Sequence, residues 1–252
     1  MNLLLFEASE VDPSGGVVRL AGRRAAHLRR VLNVEVGREL RAGIIAGPMG
    51  IARVESLLDG GTEAPLELSF LPQGHATPRP TADLLLALPR PKGLRRLLAA
   101  VAAFGVGELS LLNAWRVDKS YFSSPLVTEP RIRIALVEGL EQGVSTWLPE
   151  VVIRRRFVEA LEALPPAADD PRIRVLLEPG SAAGLEALVP LMSSSTRALI
   201  AIGPEGGWIE RELNSFRGAG FRQLSLGTGV LRTEGAVPAA LAQWALLRRL
   251  AG

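Results

Sequence analysis

Residues 199–207, Leu199-Ile-Ala-Ile-Gly203-Pro-Glu-Gly-Gly207, decide how the rest of the chain reads; they continue as WIERELNSFRGAGFRQLSLGTGVLRTEGAV to Val237. The apolar run Leu199 to Ile202 reads as a buried parallel strand. It stops at Gly203-Pro204-Glu205-Gly206-Gly207, where three glycines in five residues let the backbone approach a ligand. Ile209, Leu213 and Phe216, spaced four and three apart, predict a helix that Gly218 and Gly220 close. A second strand over Phe221 to Leu226 ends at Gly227-Thr-Gly229, and Val230-Leu-Arg232-Thr-Glu234 leads into a last helix from Pro238 to Leu250. Two strands ending in two glycine loops, each followed by a helix, describe an α/β parallel sheet with its ligand at the carboxyl ends of the strands. Neither loop is a Walker loop, since no Gly-Lys-Ser/Thr follows, and neither is Gly-x-Gly-x-x-Gly.

Working outward, Arg172 to Leu177 reads as a third such strand, ending at Glu178-Pro-Gly180. Upstream, the strand Leu84 to Leu88 runs into Pro89-Arg90-Pro-Lys92-Gly93 and a helix with Leu94, Leu97, Leu98 and Val101 on its apolar face. The cations Arg90, Lys92, Arg95 and Arg96 at a helix start oppose the helix dipole and suit an anion. After the strand Leu109 to Leu112, Trp115-Arg116-Val-Asp-Lys119-Ser-Tyr-Phe122 mixes bases and aromatics, the mixture that stacks nucleobases and holds phosphates. Core packing explains the aromatics equally well.

Residues 1–72 read as a smaller β-rich domain and residues 73–252 as the second domain, with the Pro-rich PQGHATPRP (72–80) as linker. Short strands over Val17–Leu20, Glu39–Ile45, Gly50–Ser56 and Leu66–Leu71 suit a compact barrel. One helix, Gly22 to Leu32, interrupts them. Leu28, Val31 and Leu32 are its expected core face, and Arg23, Arg24, His27, Arg29 and Arg30 form a basic surface. That surface is either a solvated face or an RNA-phosphate patch.

IGPEGG followed by LG and LRTE resembles the motif set of SPOUT-class RNA methyltransferases, and most closely that of the RsmE family, along nearly the whole chain. The resemblance implies methylation of N3 of a uridine in small-subunit ribosomal RNA with S-adenosylmethionine, a C-terminal trefoil-knotted parallel-sheet domain, an N-terminal PUA-like β-barrel domain that binds RNA, and a homodimer. Such a knot is an exception among folds. Three positions depart from the family: Gly229 and Asn33 stand where it has Arg, and Gly235 where it has Thr.

The resemblance places the cofactor on Leu176, Leu177, Glu178, Ile202, Gly203, Pro204, Glu205, Gly206, Gly207, Leu226, Gly227, Val230, Leu231 and Thr233. Uracil N3 carries a weakly acidic proton, so catalysis needs an acceptor, Glu234 or Glu205, and a cation, Arg232, for the resulting anion. RNA contacts are expected from Arg23, Arg24, His27, Arg29, Arg30, Arg90, Lys92, Arg95, Arg116 and Lys119. Two other readings stay open: a SPOUT enzyme acting on a ribose hydroxyl or a tRNA base, and a non-catalytic RNA-binding assembly factor.

Composition narrows the classes further. With no cysteine and only His27 and His75, thiol catalysis, zinc-thiolate sites and a Ser-His-Asp hydrolase fall away, and no metal is expected. The net charge is only +3, but arginine dominates the 29 basic residues and is clustered. No apolar run reaches the length of a membrane span, and the acidic start is unlike a signal peptide, so the protein is expected in the cytoplasm.

Overall fold

The computed structural model describes residues 2–13 and 16–251. The chain divides into two compact units: residues 1–78 with 140–148, and residues 79–139 with 149–252.

The first unit contains β1 (Leu4–Phe6), β2 (Val17–Leu20), α1 (Gly22–Arg30), β3 (Glu39–Ile44), β4 (Pro48–Leu57) and β5 (Leu66–Ala76). The strands form one sheet in the order β1-β3-β4-β5-β2, antiparallel except for the β1–β3 pair. Alternation in β4 and β5 turns Ala52, Val54, Leu66, Leu68 and Phe70 into a core with Leu4, Phe6, Val18, Leu20 and Leu28. Phe6 and Phe70 meet edge-on at 5.5 Å in that core.

Three details depart from the sequence reading. The stretch read as linker is strand as far as Ala76, paired with β4 at Pro48. Val31 is exposed, because α1 ends at Arg30 and turns it away from the core. Residues 140–148 return to this unit through a reciprocal pair: Thr146 N donates to Thr77 Oγ1 and Thr77 N to Thr146 Oγ1, each 2.9 Å.

The second unit is a six-stranded parallel sheet built from β6 (Ala82–Ala87), β7 (Glu108–Leu112), β8 (Glu150–Arg154), β9 (Arg172–Leu177), β10 (Arg197–Ile202) and β11 (Arg222–Leu224). Its order is β11-β9-β10-β6-β7-β8, so β10 lies between β9 and β6. β6 and β10 are almost wholly buried, as continuous apolar runs require. The sheet is accompanied by the α-helices α2 (Pro91–Phe104), α3 (Glu129–Gly143), α4 (Phe157–Glu162), α5 (Glu210–Gly218) and α6 (Thr233–Ala251), and by short 3₁₀ helices over Lys119–Ser123 and Leu185–Leu191. α3 spans both units, its last turn falling in the first.

The amino ends of the strands are tied by charge. Asp83, 1 % exposed, accepts from Arg79, Arg172 and Arg197 at 2.8–3.1 Å, while Asp170 accepts from Arg172 and Arg174 at 2.8 Å. The carboxyl ends are left for the site. α6 begins at Thr233, five residues before Pro238. The proline therefore sits inside the helix rather than at its start, and Arg232-Thr233-Glu234 becomes the helix N-terminus. Val237, Leu241, Trp244 and Leu247 of α6 are buried within the chain.

Candidate active site

Three strand ends converge on one cavity of about 250 Å³. Leu177 and Glu178 come from the end of β9, Ile202 to Trp208 from the loop after β10, and Leu226, Gly227, Val230 and Leu231 from the segment after β11. Thr233 and Ala236 close it from α6. Nearly every residue expected around a cofactor therefore lines one cavity. Leu176 does not. It lies one residue back on β9, and strand alternation turns it into the sheet interior, fully buried.

Sequence reasoning missed Trp208, Pro179, Gly229 and Ala236, which also line the cavity. Trp208 follows Gly207 directly, so its position is the available signal; Gly229 belongs to the Gly227-Thr-Gly229 loop that the sequence places at a ligand-facing strand end.

The loop after β10 is anchored by Arg116, whose Nη1 donates to the Gly206 carbonyl. A Cβ at Gly206 would sit 3.1 Å from Arg116 Cδ, so a side chain there disturbs this anchor. Gly207 takes φ +74°, which side chains rarely adopt. Burial pushes the Glu178 carboxyl above its ordinary range, the positive charge of Arg116 counters this, and Glu210 adds to it. Glu178 Oε2 is buried with no hydrogen-bond partner. An apolar cleft with one unmatched carboxylate oxygen suits a ligand that offers a flat apolar ring and a hydroxyl or cation.

A second cavity of about 330 Å³ is polar, lined by Arg90, Lys92, Arg96, Arg232, Glu205 and Glu234, with Pro89, Gly93 and Thr233. It brings together all three proposed catalytic side chains and two of the expected RNA contacts. Glu205 and Thr233 line both cavities. Arg90 Nε lies 3.1 Å from Glu205 Oε2. Gly93 is needed by close approach: a Cβ there would stand 1.9 Å from Glu234 Oε1, so the start of α2 meets the first turn of α6 through this glycine.

The remaining expected RNA contacts divide. Arg95 turns away to pair with Glu138 at 2.7 Å, whereas Arg96, four residues after Lys92 and on its face of α2, lines the cavity instead. Arg116 is engaged by Gly206, and Lys119 lies outside both cavities. On the first unit, Arg24 pairs with Glu10 at 2.9 Å, and Arg29 Nη2 donates to the carbonyls of Leu58 and Pro65 at 2.9 and 3.1 Å. Both arginines are thus engaged within the first unit. Arg23 and Arg30 are exposed, Arg30 donating to Thr62, and His27 is half-buried with Nε2 unpartnered. No group of three or more His, Cys, Asp or Glu able to hold a metal occurs among the described residues. No helix is long and apolar enough to cross a membrane among those residues.

The chain is similar to known RNA methyltransferases along most of its length. A family profile described as an RNA methyltransferase domain matches residues 77–245. The ribosomal RNA small subunit methyltransferase E of Treponema pallidum is 32 % identical over 248 residues, covering 96 % of this chain and 90 % of that protein. Ribosomal RNA small subunit methyltransferase E 1 of Borreliella burgdorferi is 25 % identical, covering 95 % of each. Among solved structures, a ribosomal RNA small subunit methyltransferase E from Neisseria gonorrhoeae bound to S-adenosyl methionine matches with a TM-score of 0.75 at 22 % identity, over 97 % of this chain and 98 % of that one, a likeness of fold. The chain belongs to the family of ribosomal RNA small subunit methyltransferase E.

Proposed function

We propose that the protein transfers a methyl group from S-adenosylmethionine to N3 of a uridine in small-subunit ribosomal RNA. The observation that carries this reading is the pair of adjoining cavities: an apolar one that suits the cofactor and a cationic one that suits RNA, sharing Glu205 and Thr233. The first unit, residues 1–78 with 140–148, is the PUA-like RNA-binding barrel, and the second, residues 79–139 with 149–252, is the SPOUT domain. The insertion of β10 between β9 and β6 supports a trefoil knot there. Exposed Leu246 and Leu250, four apart on α6, support a homodimer. An enzyme of this kind works in the cytoplasm, where ribosomal subunits are made.

The residues present fit the cofactor. Leu177, Ile202, Leu226 and Leu231 supply apolar walls, the backbone of Gly203 to Gly207 supplies close polar contacts, and Glu178 Oε2 supplies an acceptor still to be matched. Bound there, S-adenosylmethionine supplies an electrophilic methyl group on a sulfonium whose sulfur leaves as a neutral thioether.

The chain's own residues do the rest. Glu234, in the first turn of α6 and outside any ion pair among the described residues, accepts the N3 proton directly or through one water. Arg232 stabilises the negative charge that loss of the N3 proton leaves on the uracil oxygens, before N3 attack on the methyl group neutralises it. Glu205, paired with Arg90, aligns the base at the junction of the two cavities.

Calorimetric titration with S-adenosylmethionine tests the cofactor assignment. Wild type should bind one equivalent, and Gly206→Val, which displaces Arg116 from the loop it anchors, should bind at least tenfold more weakly while keeping its circular dichroism spectrum. Normal binding by Gly206→Val would put the cofactor elsewhere. The assembly-factor reading requires that wild type bind no cofactor at all.

A further inference from the structure

A third cavity, of about 560 Å³, opens on the second unit between the loop that follows β7 and the start of α5. Neither the cofactor site nor the cationic site uses it. Its most exposed aromatic is Trp115, whose accessible fraction is 78 %. An exposed indole on a loop is ordinarily a mobile side chain, but this loop is fixed. Trp115 N donates to Glu212 Oε1 at 2.8 Å, and Ile209 N donates to Glu212 Oε2 at 3.0 Å. Glu212 is 5 % exposed, so a buried carboxylate is committed to joining the Trp115 backbone to the start of α5. Ala114 and Val117, before and after Trp115 along the chain, are buried.

The cavity is cationic as well as aromatic. Lys119 and Arg211 line it, and neither is ion-paired among the described residues. The carboxylate in its wall, Glu212, is already bonded to two backbone amides. Asn113 also lines the cavity; its Nδ2 donates to the Arg155 carbonyl at 3.2 Å, while its Oδ1 is buried without a partner. An exposed ring on an anchored backbone, two unpaired cations and an unmatched acceptor are the elements of single-stranded nucleotide recognition.

The position is as informative as the chemistry. Phe157 forms part of the cavity wall, and its ring centroid is 6.0 Å from that of Trp208, which lines the cofactor-sized cavity. One aromatic pair thus separates the two spaces.

We propose that this cavity is a second nucleotide subsite, in which a base of the RNA other than the one methylated stacks on Trp115 and its phosphate is held by Lys119 and Arg211. The proposal rests on the RNA-methyltransferase reading and deepens it. It makes the enzyme recognise its substrate through a splayed single-stranded segment, with at least one flanking base withdrawn from its neighbours.

The test uses full-length protein, S-adenosylmethionine and small-subunit ribosomal RNA transcribed in vitro. Trp115→Ala should raise KM for RNA about tenfold, since stacking on an aromatic platform contributes that order of affinity. The loss should fall on KM rather than kcat, and cofactor affinity should stay at the wild-type value. Trp115→Phe should recover most of the affinity, and Trp115→Leu, equally apolar but not flat, should not. RNA should quench tryptophan fluorescence in wild type and much less in Trp115→Phe. Unchanged KM in Trp115→Ala, or equal recovery by Leu and Phe, would overturn the subsite. So would a variant whose mass by light scattering falls to half, because Trp115 would then be a contact between copies. RNA that wild type neither binds nor methylates would instead overturn the function itself, and the subsite with it.

Discussion

At the scale of single residues, the site depends on how closely Gly93 and Glu234 approach. A methyl group at position 93 meets the far end of the Glu234 side chain rather than backbone, so the carboxylate yields and the fold does not. Gly93→Ala should therefore keep its thermal midpoint and its cofactor affinity while turnover falls at least tenfold. A loss of stability without a loss of turnover would show that Glu234 does not touch the reaction. Arg232→Ala should also lose turnover, by about 100-fold or more, as expected when a donor to a developing oxyanion is removed. Its RNA affinity should fall far less, because Arg90, Lys92 and Arg96 remain in the same cavity. Single-turnover methylation beside RNA binding separates the two effects.

At the scale of elements, α1 shows why a basic stripe in a sequence does not translate directly into a binding surface. Arg29 donates two hydrogen bonds to carbonyls of the β4–β5 connection, so Arg29→Ala should cost roughly 2 kcal/mol in urea unfolding. Arg30 is exposed, and Arg30→Ala should leave stability alone while lowering the salt slope of RNA binding by about one phosphate contact. A reversed pattern would mean that Arg29 grips RNA and Arg30 the fold.

The same helix illustrates what the sequence could convey. Its existence and its core residue Leu28 were legible from spacing, but its partners Glu10, Leu58 and Pro65 lie far along the chain and no local pattern announces them. The carboxyl ends of β9, β10 and β11 were legible for the opposite reason, since apolar runs stopped by glycine are local signals. Three other features were hidden. The strand β5 runs through Pro72 because the residue lies where the ladder tolerates a missing donor. α6 starts five residues before its proline, since tertiary packing overrode the usual preference of proline for a helix start. The return of residues 140–148 to the first unit is a tertiary event between Thr77 and Thr146, 69 positions apart.

At the scale of the whole molecule, the second unit is polarised. Its strands carry charge at their amino ends and the two adjoining cavities at their carboxyl ends. Burial alone would raise the Asp170 carboxyl, but hydrogen bonds from Arg172 and Arg174 lower it from 3.8 to about 2. Because the folded value lies below the unfolded one, the stabilisation is complete above pH 4 or so and is lost as pH falls towards 2. At about 1.4 kcal/mol per unit this amounts to roughly 2 kcal/mol. Acid unfolding should therefore steepen in that window, and Asp170→Asn should flatten it while lowering stability at neutral pH. An unchanged acid profile in the variant would mean that the network does not govern acid stability.

The account as a whole turns on the chemistry assigned to the two adjoining cavities. Its most direct test is to incubate the protein with methyl-labelled S-adenosylmethionine and unmodified small-subunit ribosomal RNA, then digest the RNA to nucleosides for mass spectrometry. The account predicts label in 3-methyluridine and nowhere else, appearing about 100-fold more slowly when Arg232→Ala replaces wild type. Label in a ribose 2′-O-methyl nucleoside or in another base would contradict it.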